Sequence, residues 1–157
     1  MKFPTKLPSL AQRHAELNAM KWPDSRLYLT AGRELRYVFS IAPTVLSRVY
    51  RCMVKLKVSG SPEAFVLEPD LVELAGGRRL PHVYPHEGRG TKLCLWLPRA
   101  GEWSSELTMQ ESYLPWTAEW LNYFEEWLVT DEWAGGGEHP VNRQKRWMNQ
   151  GRFMVMR

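Results

Sequence analysis

The chain has 157 residues, of which 44% are apolar and 24% are charged, and it carries a net charge of +4. These proportions are typical of a soluble globular protein, and the length suits one domain spanning residues 1–157. No apolar run approaches the roughly 20 residues that a membrane-spanning helix needs. We expect no signal peptide, because no apolar stretch follows the basic start. Two cysteines cannot form a disulfide framework, so we expect reduced thiols and a cytoplasmic location.

The basic residues are scattered along the chain except for a group near its C-terminal end. We expect residues 141–157 to form a flexible basic tail, which is either a solvated end of the chain or a contact for an acidic surface. A nucleic-acid partner is not expected, because no motif interleaves basic residues with aromatic residues and glycines. The group consists of Arg143, Lys145, Arg146, Arg152 and Arg157.

The first element is a predicted helix over residues 9–20. Ser9 is a suitable N-cap, and Leu10, His14 and Leu17 recur at helical spacing. We therefore expect His14 to lie on the apolar face of the helix, as a hydrogen-bonded histidine.

The period then changes to the alternation that is typical of strands. Residues 35–41 and 50–59 alternate cleanly, and a short apolar run at residues 64–67 predicts a third strand. Residues 71–74 either continue the third strand or begin a fourth. Short turns favour an antiparallel β-meander of about four strands, and so an α+β fold. Cys52 falls on the inward side of its strand, where a cysteine acts as a small buried hydrophobe.

The pattern dissolves between residues 81 and 108 and returns as a helix over residues 115–129. Irregular segments of this length in a small domain are usually functional. The helix has a wide apolar face that we interpret as core. This face consists of Trp116, Trp120, Leu121, Phe124, Trp127 and Leu128.

The second cysteine, Cys94, lies inside this irregular segment, and three chemistries are open to it. With His82, His86 and His139 it could complete a zinc site, but none of the usual zinc motifs is present. One of those histidines could instead act as the base of a cysteine hydrolase. In the third chemistry, acyl transfer through a thioester, the acyl group arrives already activated, so the thiol does not depend on a strong base. A sulfur that emerges from a loop with backbone amides nearby suits this third chemistry best.

The order of the elements and the residues around Cys94 resemble ubiquitin-conjugating enzymes. Those enzymes carry His-Pro-Asn shortly before Gly-x-x-Cys-Leu, and this chain has His82-Val83-Tyr84 followed by Gly90 and then Cys94-Leu95. The histidine and the cysteine match in kind and order. Tyr84 stands where the family has its asparagine, and the spacings are slightly longer. The resemblance implies a ubiquitin-conjugating-enzyme-like fold, with an N-terminal helix, the meander and C-terminal helices.

Residues 80–140 resemble a bacterial branch of that family, the conjugating-enzyme component of type II CBASS antiphage systems. Three segments carry this resemblance: the Leu-Cys-Leu around Cys94, the tryptophan helix with LPWTAEWL at residues 114–121, and WAGGGEHP at residues 133–140. The residues Gly135–Gly137 within the last segment are either a helix terminator or part of a cleft for a partner's tail. Glu138 and His139, which follow the cluster, are candidates to position an incoming amine.

The resemblance implies an E2-like enzyme whose Cys94 takes the C-terminal carboxyl of a cGAS/DncV-like nucleotidyltransferase as a thioester and passes it to an amine. His82 would be mainly structural, and Tyr84 is the candidate donor to the oxyanion. No phosphate-binding loop is present, so a separate activating enzyme would supply the activated acyl group unless that step is bypassed. We expect no cofactor and no metal ion.

A second class of function stays open beside this one. The chain would then be a non-catalytic binding module of the same fold, which holds the nucleotidyltransferase and regulates it without forming a thioester. The retention of Cys94 favours the enzyme.

Overall fold

A computed structural model describes residues 7–137 as one sheet with three α-helices of very different length and a 3-10 turn. Helix α1 precedes the first strand, α2 follows the fourth strand, and α3 ends the described part. The helices are α1 (Leu10–Ala19), α2 (Leu71–Leu74) and α3 (Tyr113–Thr130), with a 3-10 turn at Pro98–Ala100. The strands are β1 (Arg26–Thr30), β2 (Glu34–Ile41), β3 (Tyr50–Lys57), β4 (Glu63–Glu68), β5 (Val83–Tyr84) and β6 (Thr91–Leu93).

The six strands form one antiparallel sheet in the order β1-β2-β3-β4-β6-β5. The α+β class and the antiparallel meander are therefore confirmed, but the expected count of about four strands is too low. Two short strands at one edge, β5 and β6, and the edge strand β1 add to the predicted set. In the part of the chain that the structure describes, one helix follows the sheet where the resemblance implies several. The ubiquitin-conjugating-enzyme-like architecture itself stays a prediction.

Residues 71–74 form a helical turn, so the predicted strand there is wrong. The carboxylate of Asp70 accepts hydrogen bonds from the backbone N–H groups of Val72 (2.8 Å) and Glu73 (3.3 Å). An aspartate in this position satisfies the free amides of a first helical turn and so favours a helix over a strand.

Helix α1 begins where the sequence predicts, because Ser9 and Gln12 form a capping box. Its inward face differs from the prediction: His14 is exposed, and Arg13 is buried in its place. The Arg13 guanidinium donates to the carbonyls of Ser105 (2.7 Å) and Leu107 (2.9 Å). A long cationic side chain therefore fastens the loop before α3 to α1.

The core lies between the inner face of β2–β4 and the apolar face of α3. Cys52 is fully buried there, as predicted, and burial raises the pKa of its thiol to about 12. The ring of Phe124 stacks on that of Trp120 at 5.4 Å. The predicted aromatic face of α3 is thus confirmed as core at its centre. No helix among residues 7–137 is long and apolar enough to cross a membrane.

Candidate active site

Cys94 lies directly after β6, at the edge of the sheet. Its backbone N–H donates to the carbonyl of His82 at 3.0 Å, which extends the pairing of β5 with β6 by one step. The residue is 8% exposed. Alternation along β6 and its continuation puts Lys92 and Cys94 on the same face of the sheet as Tyr84, which pairs with Lys92. The two short edge strands therefore gather these side chains.

The hydroxyl of Tyr84 is 3.4 Å from the Sγ of Cys94, and the thiol also lies 3.8 Å from the carbonyl oxygen of Trp96. Burial raises the pKa of Cys94, and the carboxylate of Glu102 raises it further. The hydrogen bonds with Tyr84 and Trp96 lower the pKa, and burial outweighs them. Burial, followed by the contact with Cys94, also raises the pKa of Tyr84. At neutral pH the site thus holds a thiol and a phenol, and the phenol is a hydrogen-bond donor to any negative charge that forms on or beside the sulfur.

His82 is held through its backbone and its ring. Its φ is +47°, its side chain is 6% exposed, and its ring stacks on Trp133 at 4.9 Å. Its carbonyl accepts from Trp120 Nε1 (3.0 Å) as well as from the N–H of Cys94. These contacts tie the cysteine segment to α3, which agrees with the mainly structural role that the resemblance implies.

A cleft of about 230 Å³ opens beside Cys94, between the segment after β6 and α3. The predicted glycine cluster, Gly135–Gly137, lines this cleft together with Glu102 and Glu119. A Cβ on Gly135 would lie 2.5 Å from the ring of Tyr123, so only glycine fits that close approach. The cluster does not end α3, which stops at Thr130 with Asp131 in the left-handed conformation. Its interpretation as a helix terminator is therefore wrong.

A second cleft, of about 270 Å³, lies beside Leu93 and Leu95, the neighbours of Cys94 in the chain. Tyr84, Lys92 and Glu63 line it, together with Trp96 and Tyr113. The indole N–H of Trp96 donates to the hydroxyl of Tyr113 (2.8 Å), which itself donates to the carbonyl of Pro62 (2.7 Å). This chain of hydrogen bonds fixes the segment just after the cysteine.

Glu63 and Lys92 are site residues that the sequence did not single out. Glu63 pairs with Lys92 at 2.8 Å and with Lys55 at 3.1 Å. A signal for Lys92 was available, because it lies two residues before Cys94 on a strand and so shares its face. No such signal existed for Glu63, whose position depends on the pairing of β4 with β6.

Of the two other histidines of the candidate metal set, His86 lies within residues 7–137 and does not line the cleft beside Cys94. His86 packs on the ring of Phe65 at 4.9 Å. In this described range no group of three or more His, Cys, Asp or Glu side chains could hold a metal ion. His139, Glu138 and the basic tail lie outside the described residues.

Comparison with protein-family models identifies the family of the chain. A search of the curated proteins found no significant match. The family model described as type II CBASS E2 protein matches residues 14–140, which include the whole sheet, Cys94 and α3. The match covers most of the chain, and so the chain belongs to the type II CBASS E2 protein family.

Proposed function

We propose that this CBASS E2 protein is an acyl carrier that works through a thioester on Cys94. Its substrate is the C-terminal carboxyl group of a partner protein, a cGAS/DncV-like nucleotidyltransferase, and its product is an amide that primes CBASS antiphage signalling. The observation that carries the proposal is the position of Cys94 on the cleft beside α3, with the hydroxyl of Tyr84 3.4 Å from its sulfur. The family match supports an E2-like role, and the residues below supply the chemistry.

The first step is a thioester exchange. The activated carboxyl arrives as a thioester on a cysteine of a separate activating enzyme, and Cys94 Sγ attacks its carbonyl carbon. A new C–S bond forms, the old C–S bond breaks, and the proton of the Cys94 thiol goes to the departing thiolate. Because burial keeps this thiol protonated at neutral pH, docking of the partner has to accompany its ionisation.

The second step forms the amide. The nitrogen of an amine attacks the thioester carbon, the C–N bond forms, and the C–S bond breaks as the amine proton returns to Cys94. Both steps pass through a tetrahedral oxyanion, and a donor beside the sulfur stabilises it. Tyr84 supplies that donor here, in the place where the resemblance expects an asparagine, and its raised pKa keeps the O–H intact.

The partner's tail needs an extended path to the sulfur. We assign it to the cleft lined by Gly135–Gly137, since residues without side chains leave room for a second backbone. His82 lies against the same segment: a Cβ on Gly137 would come within 3.4 Å of its ring. His82 thus shapes the cleft and holds Cys94 in place through its backbone carbonyl.

The test is an adduct assay on non-reducing gels. The protein is incubated with the nucleotidyltransferase, the activating enzyme and ATP. An adduct that thiol reagents remove is expected with the native protein and with Cys52→Ala, and not with Cys94→Ala. Cys94→Ser is expected to give an oxyester that resists thiols. An adduct that persists in Cys94→Ala would refute the assignment.

The low exposure of Cys94 is the observation that favours the second candidate, a non-catalytic module that binds the nucleotidyltransferase. That candidate predicts no adduct under any condition. It also predicts the same affinity for the partner in the native protein and in Cys94→Ala, measured by calorimetry.

A further inference from the structure

Three charged side chains form a linked group on the outer part of the sheet. The two carboxylate oxygens of Glu63 are divided between Lys92 Nζ (2.8 Å) and Lys55 Nζ (3.1 Å). About a quarter or less of each side chain is exposed. Partial burial and the bridging carboxylate restrict both ammonium groups far more than in an exposed lysine.

The strand register brings one end of this group to the candidate active site. Lys92 on β6 pairs with Tyr84 on β5, while Glu63 on β4 pairs with Lys55 on β3. The Nζ of Lys92 lies 5.5 Å from the centre of the Tyr84 ring, within the range of a cation–π contact. The hydroxyl of the same ring lies 3.4 Å from Cys94 Sγ.

The two lysines differ in what lies beneath them. Lys55 Nζ lies over the ring of Phe65 at 5.0 Å, away from Tyr84. Both lysines therefore pair with the same carboxylate, but Lys92 lies over the ring of Tyr84 and Lys55 over that of Phe65. Lys55→Met is therefore the matched control, because it removes an ion pair of Glu63 and leaves the cation over the Tyr84 ring in place.

Tyr84 needs such support because of where it lies. Strand β5 has only two residues and is the last strand of the sheet, so it pairs with β6 alone. The Tyr84 side chain is only half-buried. A ring in this position is held weakly by its own strand, and a 3.4 Å contact from its hydroxyl to a sulfur depends on the ring's orientation.

We propose that Lys92, anchored by Glu63, is a positioning residue that holds the Tyr84 ring in the orientation in which its hydroxyl meets Cys94 Sγ. The cation on the ring face also draws electron density from the phenol and strengthens its O–H as a donor. Removal of the cation then weakens the stabilisation of the thiolate and of the oxyanion. The role of Lys92 in catalysis rests on the proposed function, whereas its effect on the reactivity of the Cys94 thiol does not.

The test follows the alkylation of Cys94 by iodoacetamide from pH 6 to pH 10, with the Cys94 peptide quantified by mass spectrometry. In Lys92→Met the rate near pH 7.5 is expected to fall about two- to five-fold, the range that one cation–π contact predicts. The rate constant of the ionised thiol, obtained by fitting the whole profile, is expected to stay unchanged. Lys92→Arg is expected to restore the native profile, and Lys55→Met to leave it unaltered. The other titratable groups at the cleft, His82, Glu102, Glu119 and Tyr123, are the same in every variant.

Tyr84→Phe decides whether Lys92 acts through the tyrosine. In that background Lys92→Met is expected to have no further effect, because the hydroxyl is gone. A further fall of the same size would mean a direct effect on the sulfur and would overturn the proposal. An equal loss in Lys55→Met and Lys92→Met would overturn it as well, since the ion pair alone would then explain the effect.

Thermal unfolding of each variant checks that the fold is retained, and Lys92→Gln replaces Lys92→Met if the latter does not fold. The alkylation assay needs no partner and no activating enzyme. If the Lys92 effect is found but no adduct ever forms with the nucleotidyltransferase, the positioning role stands and the acyl-carrier function fails. If adducts form but the alkylation profiles of all variants are alike, the acyl-carrier function stands and the positioning role of Lys92 fails.

Discussion

Substitution of Glu63 by glutamine removes the charge at the centre of the Lys55–Glu63–Lys92 group and keeps the shape of the side chain. Burial raises the pKa of Glu63, but the hydrogen bonds and charges of Lys92 and Lys55 outweigh it and lower the pKa from 4.5 to about 2. Converted to free energy, that displacement is about 3.4 kcal/mol. Because the side chain is 25% exposed, solvent screening reduces it to about 1.5–2 kcal/mol. We expect Glu63→Gln to lower the free energy of unfolding at pH 7 by this amount.

The effect of Glu63→Gln on the free energy of unfolding should depend on pH. A carboxylate whose pKa is lowered by folding stabilises the native state fully above its ordinary pKa of 4.5. The contribution is lost as the pH falls from about 4.5 towards 2. The difference between the native protein and Glu63→Gln should therefore be constant from pH 7 to pH 5 and shrink by pH 3. Urea unfolding followed by tryptophan fluorescence measures it at each pH.

Two results would refute this reasoning. If the difference is as large at pH 3 as at pH 7, the substitution acts through packing and not through charge. If no difference exists at pH 7, the two ion pairs contribute nothing to stability. Glu87→Gln is the matched control: Glu87 is exposed, and its substitution is expected to change stability by less than about 0.5 kcal/mol.

Three further substitutions test other parts of the structure. The buried hydroxyl of Tyr37 has no hydrogen-bond partner among the described residues, so Tyr37→Phe should raise the free energy of unfolding by about 1 kcal/mol in a urea titration. Arg13→Ala leaves two loop carbonyls without their charged donor, so it should lower the free energy of unfolding by about 3 kcal/mol. His14→Ala, at the exposed neighbouring position, should change that free energy by less than about 0.5 kcal/mol. Equal effects of the two substitutions would contradict the assignment of Arg13 to the core side. Gly135→Ala places a Cβ 2.5 Å from the Tyr123 ring, so we expect a loss of about 1–2 kcal/mol on thermal unfolding and slower formation of the Cys94 adduct on gels.

The long, periodic elements could be predicted from the sequence with good boundaries. Strands β2 and β3 alternate over eight residues each, and α3 repeats its apolar residues over 18 residues. In these elements many residues follow the same period, so a single exception does not change the predicted type of element. The capping box at Ser9 likewise fixed the start of α1.

The short elements could not be predicted, because few residues carry their period. Strands β5 and β6 have two and three residues and are held by pairing with a sheet already formed. Residues 71–74 are apolar enough for a strand, but the side chain of Asp70 caps them as a helix. Arg13 is buried against the pattern because distant carbonyls satisfy its guanidinium.

By itself the sequence determined the class of the fold and the family to which the motifs point. It also distinguished Cys52, a buried core residue, from Cys94, the candidate nucleophile. Those conclusions depend on local patterns, which a single chain displays directly. Only the tertiary structure decided what surrounds Cys94: the hydroxyl of Tyr84, the cleft beside Gly135–Gly137, and the link from Lys92 to Glu63. The two hydrogen-bonded pairs, Tyr84 with Cys94 and Glu63 with Lys92, lie 10 and 29 positions apart along the chain. The register between strands and the packing against α3 set the distances between these side chains. Neither can be predicted from the local sequence pattern.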